Sequence, residues 1–207
     1  MSKPDFLSLI QSEMEAVEDK ISNDLHSDTK IVEQMLRYTL SCKGKRLRPA
    51  LVLLCGKASG EVKPAHLEVA VAIELIHTAP LVHDDIIDEA TLRRQKTSLN
   101  TKYGNEMAVI FGDYVLAMAF SRLAKLGEAK IFQDMTEVTN IICEGELFQT
   151  YRRFDFNLSH TDYMKMIEQK TASLFAVSCR LGARMSCATA KQQQKLEKFG
   201  EELGMAF

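Results

Sequence analysis

The sequence predicts an all-α fold, a bundle of long helices packed as one domain. Apolar residues recur at three- and four-residue intervals along nearly the whole chain, and convincing alternation with a period of two is absent. Only 10 Gly and 4 Pro occur, so few positions would interrupt a helix. A chain of 207 residues with 46% apolar residues can bury a sizeable core.

The predicted helices follow one another with short connections. The first runs from about Pro4 to Leu25, and Pro4 suits its first turn. The second spans about 28–40, with Asp28 as its candidate N-cap. Later helices are predicted over 50–57, 104–126, 128–153, 160–184 and 189–206.

The segment VAVAIELIHTAPLVHDD, which begins at Val69, is apolar nearly all round. Because a surface helix carries a polar face, this segment is predicted to be a central, buried helix. Pro80 within it predicts a kink or a local irregularity. A second apolar segment, MAVIFGDYVLAMAF over 107–120, is interrupted by Asp113 and is short for a membrane span. It is therefore predicted to be a core helix, and no integral membrane segment is expected.

Charge and cysteine content narrow the classes of function. The formal net charge is −2, so neither a nucleic-acid partner nor binding to a membrane surface is indicated. The five cysteines form no CxxC pair, and their number is odd. Reduced thiols in a cytoplasmic protein are therefore expected. The Walker and GxGxxG patterns are absent, which argues against P-loop and dinucleotide enzymes.

Three aspartates, Asp84, Asp85 and Asp88, lie within five positions of LVHDDIIDEATLRR (81–94). If the helix continues, they share one helical turn, where their charges would repel one another. Mg²⁺ would remove the repulsion, because it prefers carboxylate oxygens and retains waters and substrate phosphates as its other ligands. The segment thus predicts a Mg²⁺ site, and a solvated helix end is the simpler alternative.

Positively charged side chains cluster in three short segments. They are Lys45, Arg46 and Arg48 in GKRLRP (44–49), the adjacent Arg93 and Arg94, and Lys170 beside Thr171. Each segment alone is equally typical of a solvated surface. Adjacent guanidiniums on a helix would point in different directions, so each could hold a separate anion. Together with a metal site in an apolar bundle, these cations favour a substrate with a diphosphate head and a hydrocarbon tail.

His77 lies two helical turns before Asp84, on the same predicted face. A hydrogen-bonded core histidine is the simpler interpretation of such a residue. Glu74 and His77 also match the ExxH spacing of carboxylate-bridged di-iron bundles. Such bundles need a second ExxH, and no other histidine has a glutamate three positions before it. The di-iron alternative is therefore weak.

The order of the motifs resembles that of the trans-isoprenyl diphosphate synthases, in particular the long-chain polyprenyl members. The matching motifs are GKRLRP (44–49), His77, LVHDDIIDEATLRR (81–94), FGDY (111–114), GELFQ (145–149) and KTA (170–172). The resemblance implies a helical bundle around a deep central cavity. It also implies a Mg²⁺-dependent reaction, in which an allylic prenyl diphosphate is ionised and the double bond of isopentenyl diphosphate attacks the carbocation.

The resemblance also implies roles for individual residues. Asp84, Asp85 and Asp88 would bind Mg²⁺ and, through it, the allylic diphosphate. The isopentenyl diphosphate pocket would consist of Lys45, Arg48, His77 and Arg94. Contacts to the allylic diphosphate would come from Arg93, Lys170 and Thr171. Ionisation develops charge on the leaving diphosphate, which metal ions and fixed cations stabilise in a water-poor site.

Two further expectations concern the product and the assembly. Ala79 and Pro80 lie just before the first aspartate, where bulky aromatic residues shorten the product in this family. Their small size favours a long product. The apolar face of the 104–126 helix could form a dimer, either of identical subunits or with a small partner subunit.

The chain departs from the family pattern at several positions. Lys43 and Gln95 replace frequent glycines, which is tolerable. In the family, a segment such as FGEELGMAF continues into a second aspartate-rich motif, whereas this chain stops at Phe207. Residues 1–207 are therefore expected to form the N-terminal two-thirds of a synthase domain, without its C-terminal helices. A non-catalytic or regulatory subunit is the alternative, and terpene cyclisation is disfavoured by the GKRLRP segment.

Overall fold

The computed structural model describes residues 6–41 and 44–207, and it is a bundle of α-helices. The positions of Pro4, Cys42 and Lys43 lie outside the described residues. The helices are α1 (Gln11–Asp19), α2 (Lys30–Leu40), α3 (Leu47–Ser59), α4 (Pro64–Ile87), α5 (Leu99–Tyr103), α6 (Asn105–Lys125), α7 (Ala129–Tyr151), α8 (His160–Ile167), α9 (Ser173–Met185) and α10 (Ala190–Ala206). The all-α prediction is confirmed.

Short irregular helical turns extend three of these helices. A 3₁₀ turn over Phe6–Ile10 precedes α1, and a π turn over Lys20–Asp24 follows it. A second π turn, Glu168–Ala172, joins α8 to α9, so the predicted 160–184 helix is interrupted at its middle. Lys170 lies within this turn. Because π turns often occur at functional sites, its position favours a functional role for Lys170.

The start of α2 differs from the prediction. Thr29 is the N-cap residue and the helix begins at Lys30, so Asp28 does not cap it. Helix α3 begins three residues earlier than predicted, at Leu47, which places Pro49 in its first turn. The proline fits there because it has no amide N–H to leave unpaired.

The two adjacent arginines lie in a hairpin, and the expectation that they share a helix is wrong. Strands β1 (Leu92–Arg93) and β2 (Lys96–Thr97) pair antiparallel, with Arg93 opposite Lys96. Arg94 and Gln95 form the turn, with positive φ angles of 50° and 67°. Strands of two residues are too short to produce a visible alternation of apolar and polar side chains.

Helix α4 is the centre of the bundle, as predicted. Every residue from Val69 to Ile76 is at most 4% exposed. Neighbouring helices α1, α3, α5, α6 and α9 all contact α4. The helix continues without a break through Pro80. Its length carries the site residues from the core of the bundle to its surface.

Helices α3 and α9 pack closely at Gly182. A Cβ atom built on Gly182 would lie 2.2 Å from the carbonyl oxygen of Val52, so only glycine permits this approach. The contact sets the start of α3, which carries Arg48, beside Phe175 of α9.

Two helices, α4 and α6, are long and apolar enough to span a membrane by length and composition alone. In α4, 61% of the apolar window is buried inside the protein, which is typical of a core helix. The buried share is 33% in α6, whose outer face includes the exposed side chains of Val109 and Ile110. This face is the one from which the sequence predicts a subunit contact.

Candidate active site

A cavity of about 990 Å³ opens between the start of α3, the last turns of α4, and helices α7, α8 and α10. Seven of the residues predicted from the sequence line it: Lys45, Arg48, His77, Asp84, Arg94, Lys170 and Thr171. Apolar side chains from several helices complete the wall. The cavity therefore brings cations, the carboxylates of Glu74, Asp84 and Glu146, and apolar surface together.

Helix α4 supplies one wall of the cavity through a single face. His77, Pro80, Leu81 and Asp84 line the cavity at spacings of three and four residues. His77 and Asp84 therefore share the face that the sequence predicts. Asp84 lies at the end of this face, where the helix approaches the surface.

Asp84 is paired with Lys170 from the π turn. The Nζ of Lys170 lies 3.2 Å from Oδ2 of Asp84 and 2.8 Å from Oε2 of Glu146 on α7. Burial opposes the charge of Lys170, but the hydrogen bond to Glu146 and the charge of Asp84 raise the pKa of this ammonium. Burial raises the pKa of Glu146, and the charge of Asp84 acts in the same direction. The lysine is thus shared between two carboxylates.

Glu146 is a site residue that the sequence reasoning did not select. It lies within the motif GELFQ, and its neighbour Gly145 allows α7 to approach the π turn. A Cβ atom on Gly145 would lie 2.8 Å from the Cβ of Gln169. The motif GELFQ therefore contained this site residue. The role of Glu146 was not evident from the motif, because its partner Lys170 is 24 positions away along the chain.

The other two aspartates lie outside this cavity. Asp85 is 4% exposed and accepts hydrogen bonds of 2.8 Å and 2.5 Å from Nε and Nη2 of Arg93. It lines a smaller cavity of about 60 Å³, which adjoins the large one and shares Glu74 and Arg94 with it. Asp88 follows the last residue of α4, is exposed, and pairs with Arg153. Each aspartate therefore has its own cation, from three different segments of the chain.

The described residues include no group of three His, Cys, Asp or Glu side chains arranged as a metal site. The chemistry of the donors nevertheless fits Mg²⁺, because the carboxylates of Asp84 and Asp88 are hard oxygen ligands one helical turn apart. Asp84 lines the large cavity, and Asp88 is exposed where α4 ends. Each is paired with one partly exposed cation, whereas Asp85 is 4% exposed and accepts two hydrogen bonds from Arg93.

Among the described residues, no carboxylate forms an ion pair with Arg48, which lies in the cavity wall. Its guanidinium lies 4.5 Å above the ring of Phe175, and its Nε is buried without a hydrogen-bond partner in the described part of the chain. Burial lowers the pKa of Arg48 to about 10, against the influence of Glu74. Such a cation is well suited to bind an anion, since little must be broken before the anion can bind.

Arg46 has a different role from its neighbour two positions later. It is 7% exposed and pairs with Glu18, at 2.7 Å, and with Glu74. These pairs tie the start of α3 to α1 and α4. Arg46 therefore supports the site by fixing the chain between Gly44 and Arg48.

His77 is surrounded by positive charge. Burial, followed by the charges of Arg48 and Arg94, lowers the pKa of His77 to about 3. The imidazole is therefore neutral near pH 7. A bound anion would favour the protonated form, since it places negative charge among the same groups.

We expect His77 to reduce stability in mild acid. In the unfolded chain it takes up a proton below a pKa of about 6.5, whereas in the folded protein it stays neutral down to a pKa of about 3. Unfolding is therefore favoured progressively as the pH falls from 6.5 towards 3. Between pH 7 and pH 5, the native protein should lose about 2 kcal/mol more than His77→Gln. Urea denaturation at both pH values measures this, and equal losses would show that His77 has an ordinary pKa.

Fold and cavity together place the chain in one class, the isoprenoid-synthase-type helical bundles. Within that class, the chain belongs to the polyprenyl synthetase family, whose model matches residues 29–207. The resemblance that the motifs indicate is thereby confirmed.

Individual relatives agree with this assignment. The chain is 36% identical to octaprenyl diphosphate synthase of Escherichia coli over 199 residues, which cover 96% of the chain and 62% of that protein. It is 35% identical to heptaprenyl diphosphate synthase component 2 of Geobacillus stearothermophilus, over 97% of the chain and 62% of that protein. The chain thus spans a little under two-thirds of the length of these relatives.

A solved structure shows the same fold. Polyprenyl synthase from Caulobacter crescentus, complexed with calcium and isoprenyl diphosphate, superposes with a TM-score of 0.92 at 31% identity. The superposition covers 96% of the chain and 60% of that protein. The helices that form the cavity are therefore those of a polyprenyl synthase.

Proposed function

We propose that the chain forms the part of a polyprenyl diphosphate synthase that binds both substrates, and that the whole protein condenses isopentenyl diphosphate with an allylic prenyl diphosphate. One observation carries the proposal. Cations from three distant segments of the chain meet in a single cavity with Asp84, on the wall of an apolar bundle. Two diphosphates require such a concentration of positive charge, and a hydrocarbon tail requires the apolar wall.

The residues of the cavity divide into two groups. Lys45, Arg48, His77 and Arg94 would bind isopentenyl diphosphate. On the opposite side of the cavity, Lys170 and Thr171 would contact the allylic diphosphate. Because Lys170 is already paired with Glu146, it can exchange Asp84 for a phosphate oxygen and remain neutralised. Arg93, which the sequence also assigns to the allylic diphosphate, pairs with Asp85 and would position the hairpin that carries Arg94.

Mg²⁺ would be held by Asp84 and Asp88, with Asp85 as the third acidic residue of the motif. When bound, the ion would stabilise negative charge on the departing diphosphate. The chain's own contribution is to fix the cations in advance and to keep water from the reacting carbon. Apolar side chains such as Ile76, Ile142 and Leu174 surround the space where the carbocation would form. The Caulobacter crescentus protein was solved with calcium and isoprenyl diphosphate, which favours a divalent cation and a prenyl diphosphate as the ligands of this family member too.

A long product and a two-subunit assembly belong to the same proposal. Ala79 and Pro80, five and four positions before Asp84, are small. The similar octaprenyl and heptaprenyl synthases make long chains by name. The exposed apolar face of α6 would contact a second subunit, either an identical one or a small partner. The name of the similar component 2 implies a partner component.

We place the protein in the cytoplasm. A purely non-catalytic role is not favoured, because the cations of the cavity are all present.

The test is transfer of label from radioactive isopentenyl diphosphate. The protein purified from its source would be incubated with farnesyl diphosphate and Mg²⁺, and the products separated by chain length. We expect labelled prenyl diphosphates longer than farnesyl, and none when the metal is chelated. In parallel, residues 1–207 should bind isopentenyl diphosphate saturably. Absence of both product and binding would reject the proposal.

A further inference from the structure

Arg153 reaches from the end of α7 to the end of α4. Its Nη1 donates to the carbonyl oxygen of Ile87 at 3.1 Å, and its Nη2 donates to Oδ1 of Asp88. The guanidinium thus contacts both the last residue of α4 and the carboxylate that follows it. Both side chains are partly open to solvent, with exposed fractions of 42% for Arg153 and 51% for Asp88.

The position of Arg153 has a clear electrostatic cause. The last carbonyl groups of a helix lack intrahelical donors and carry the negative end of the helix dipole. Asp88 adds a full negative charge at that point, with Asp84 one turn earlier. Arg153 therefore occupies the place where a divalent cation would find the same two attractions.

We propose that Arg153 is a tethered competitor of the divalent cation at Asp88. The proposal rests on the assignment of Asp84 and Asp88 as metal ligands under the proposed function. Oδ1 of Asp88 cannot serve the guanidinium and a metal ion in the same way at once. Metal binding through Oδ1 must therefore release Arg153 from Asp88, while its contact to Ile87 can remain; binding through Oδ2 would place the ion beside the guanidinium charge. The exchange of Arg153 for the metal ion therefore sets the metal concentration at which Asp88 binds the ion.

Lys170 and Arg153 differ in what they do after the exchange. Lys170 keeps Glu146 as a partner and remains inside the cavity, where it can meet a phosphate oxygen. No second carboxylate is within salt-bridge distance of Arg153 in the described part of the chain. A released Arg153 would stay close to the metal and repel it. Its removal should therefore strengthen metal binding, which a purely structural contact would not predict.

The test compares Mn²⁺ binding by residues 1–207 and by Arg153→Gln, using the electron paramagnetic resonance signal of free Mn²⁺. We expect Arg153→Gln to bind Mn²⁺ about three- to tenfold more tightly, because one competing charge next to a divalent ion is lost. The matched control is Arg152→Gln. It removes the same charge one position earlier, from an arginine paired with Asp155 and Asp162. Its Mn²⁺ affinity should stay within about twofold of the unmodified chain.

Combined measurements separate the possible failures. A gain in Mn²⁺ affinity with a slightly lower melting temperature supports the proposal, because the helix end loses its cap while the carboxylate becomes available. Unchanged or weaker Mn²⁺ binding by Arg153→Gln would overturn it, provided that Asp84→Asn and Asp88→Asn both weaken binding. If neither aspartate substitution alters Mn²⁺ binding, the metal site of the proposed function fails, and this inference fails with it.

Discussion

Replacing Asp84 with asparagine is expected to abolish the Mg²⁺-dependent part of allylic diphosphate binding. Asparagine keeps the shape of the side chain but removes the charge and one metal ligand. Substituting a residue that only orients a metal ligand already lowers metal affinity about ten- to a hundredfold. For the ligand Asp84 itself, we therefore expect the affinity for the analogue in Mg²⁺ to fall by roughly a hundredfold or more. The measurement is titration calorimetry with farnesyl thiodiphosphate, an unreactive analogue, in Mg²⁺ and again in a chelator.

The structure supplies a reason to expect that Asp84→Asn folds. Lys170 retains Glu146 at 2.8 Å, so no buried ammonium is left unpaired. Glu89→Gln is the matched control, since Glu89 is an exposed acid in the same segment. If Asp84→Asn and Glu89→Gln bound the analogue equally in Mg²⁺, Asp84 could not be a metal ligand.

Replacing Arg48 with glutamine is expected to weaken isopentenyl diphosphate binding by about ten- to a hundredfold, the cost of losing hydrogen bonds to a charged group. The reason lies in its surroundings. Its guanidinium stacks on Phe175 and its buried Nε has no partner in the described residues. A phosphate oxygen would therefore gain a preformed donor.

The specificity of the loss is the informative part of this experiment. Binding of farnesyl thiodiphosphate should change less than threefold, an effect within the range of an exposed ion pair. Arg48→Lys should recover part of the affinity, because it keeps the charge but not the fork of donors. Arg37→Gln, on the exposed surface of α2, controls for net charge. Equal losses for both ligands would mean that Arg48 does not belong to one diphosphate site alone.

The positions of the helices could be predicted because they depend on the pattern of apolar residues within each segment. The all-round apolarity of the segment that begins at Val69 has one physical solution, a helix surrounded by other helices, and α4 is that helix. The hairpin of Arg93 and Arg94 could not be predicted. It is held by a side-chain pair to Asp85, eight residues earlier, rather than by a pattern within its own residues.

The site could be predicted in part, from the order of the motifs along the chain. Motif order placed Arg48, His77 and Lys170 in one region, and they do line one cavity. The orientation of each aspartate could not be predicted, because residues adjacent on a helix point in directions about 100° apart. Glu146 and Arg153 were missed, since their significance depends on partners 24 and 65 positions away.

The end of α4 anchors several parts of the chain around the site. Its three aspartates are attached to three separate segments: the π turn of Lys170, the hairpin of Arg93, and the turn of Arg153. A change of charge at this one helix end therefore alters the anchorage of all three segments together. The cavity wall formed by α4 and the hairpin that carries Arg94 are then linked through adjacent carboxylates. A single helix end in this way connects segments that are far apart in the sequence.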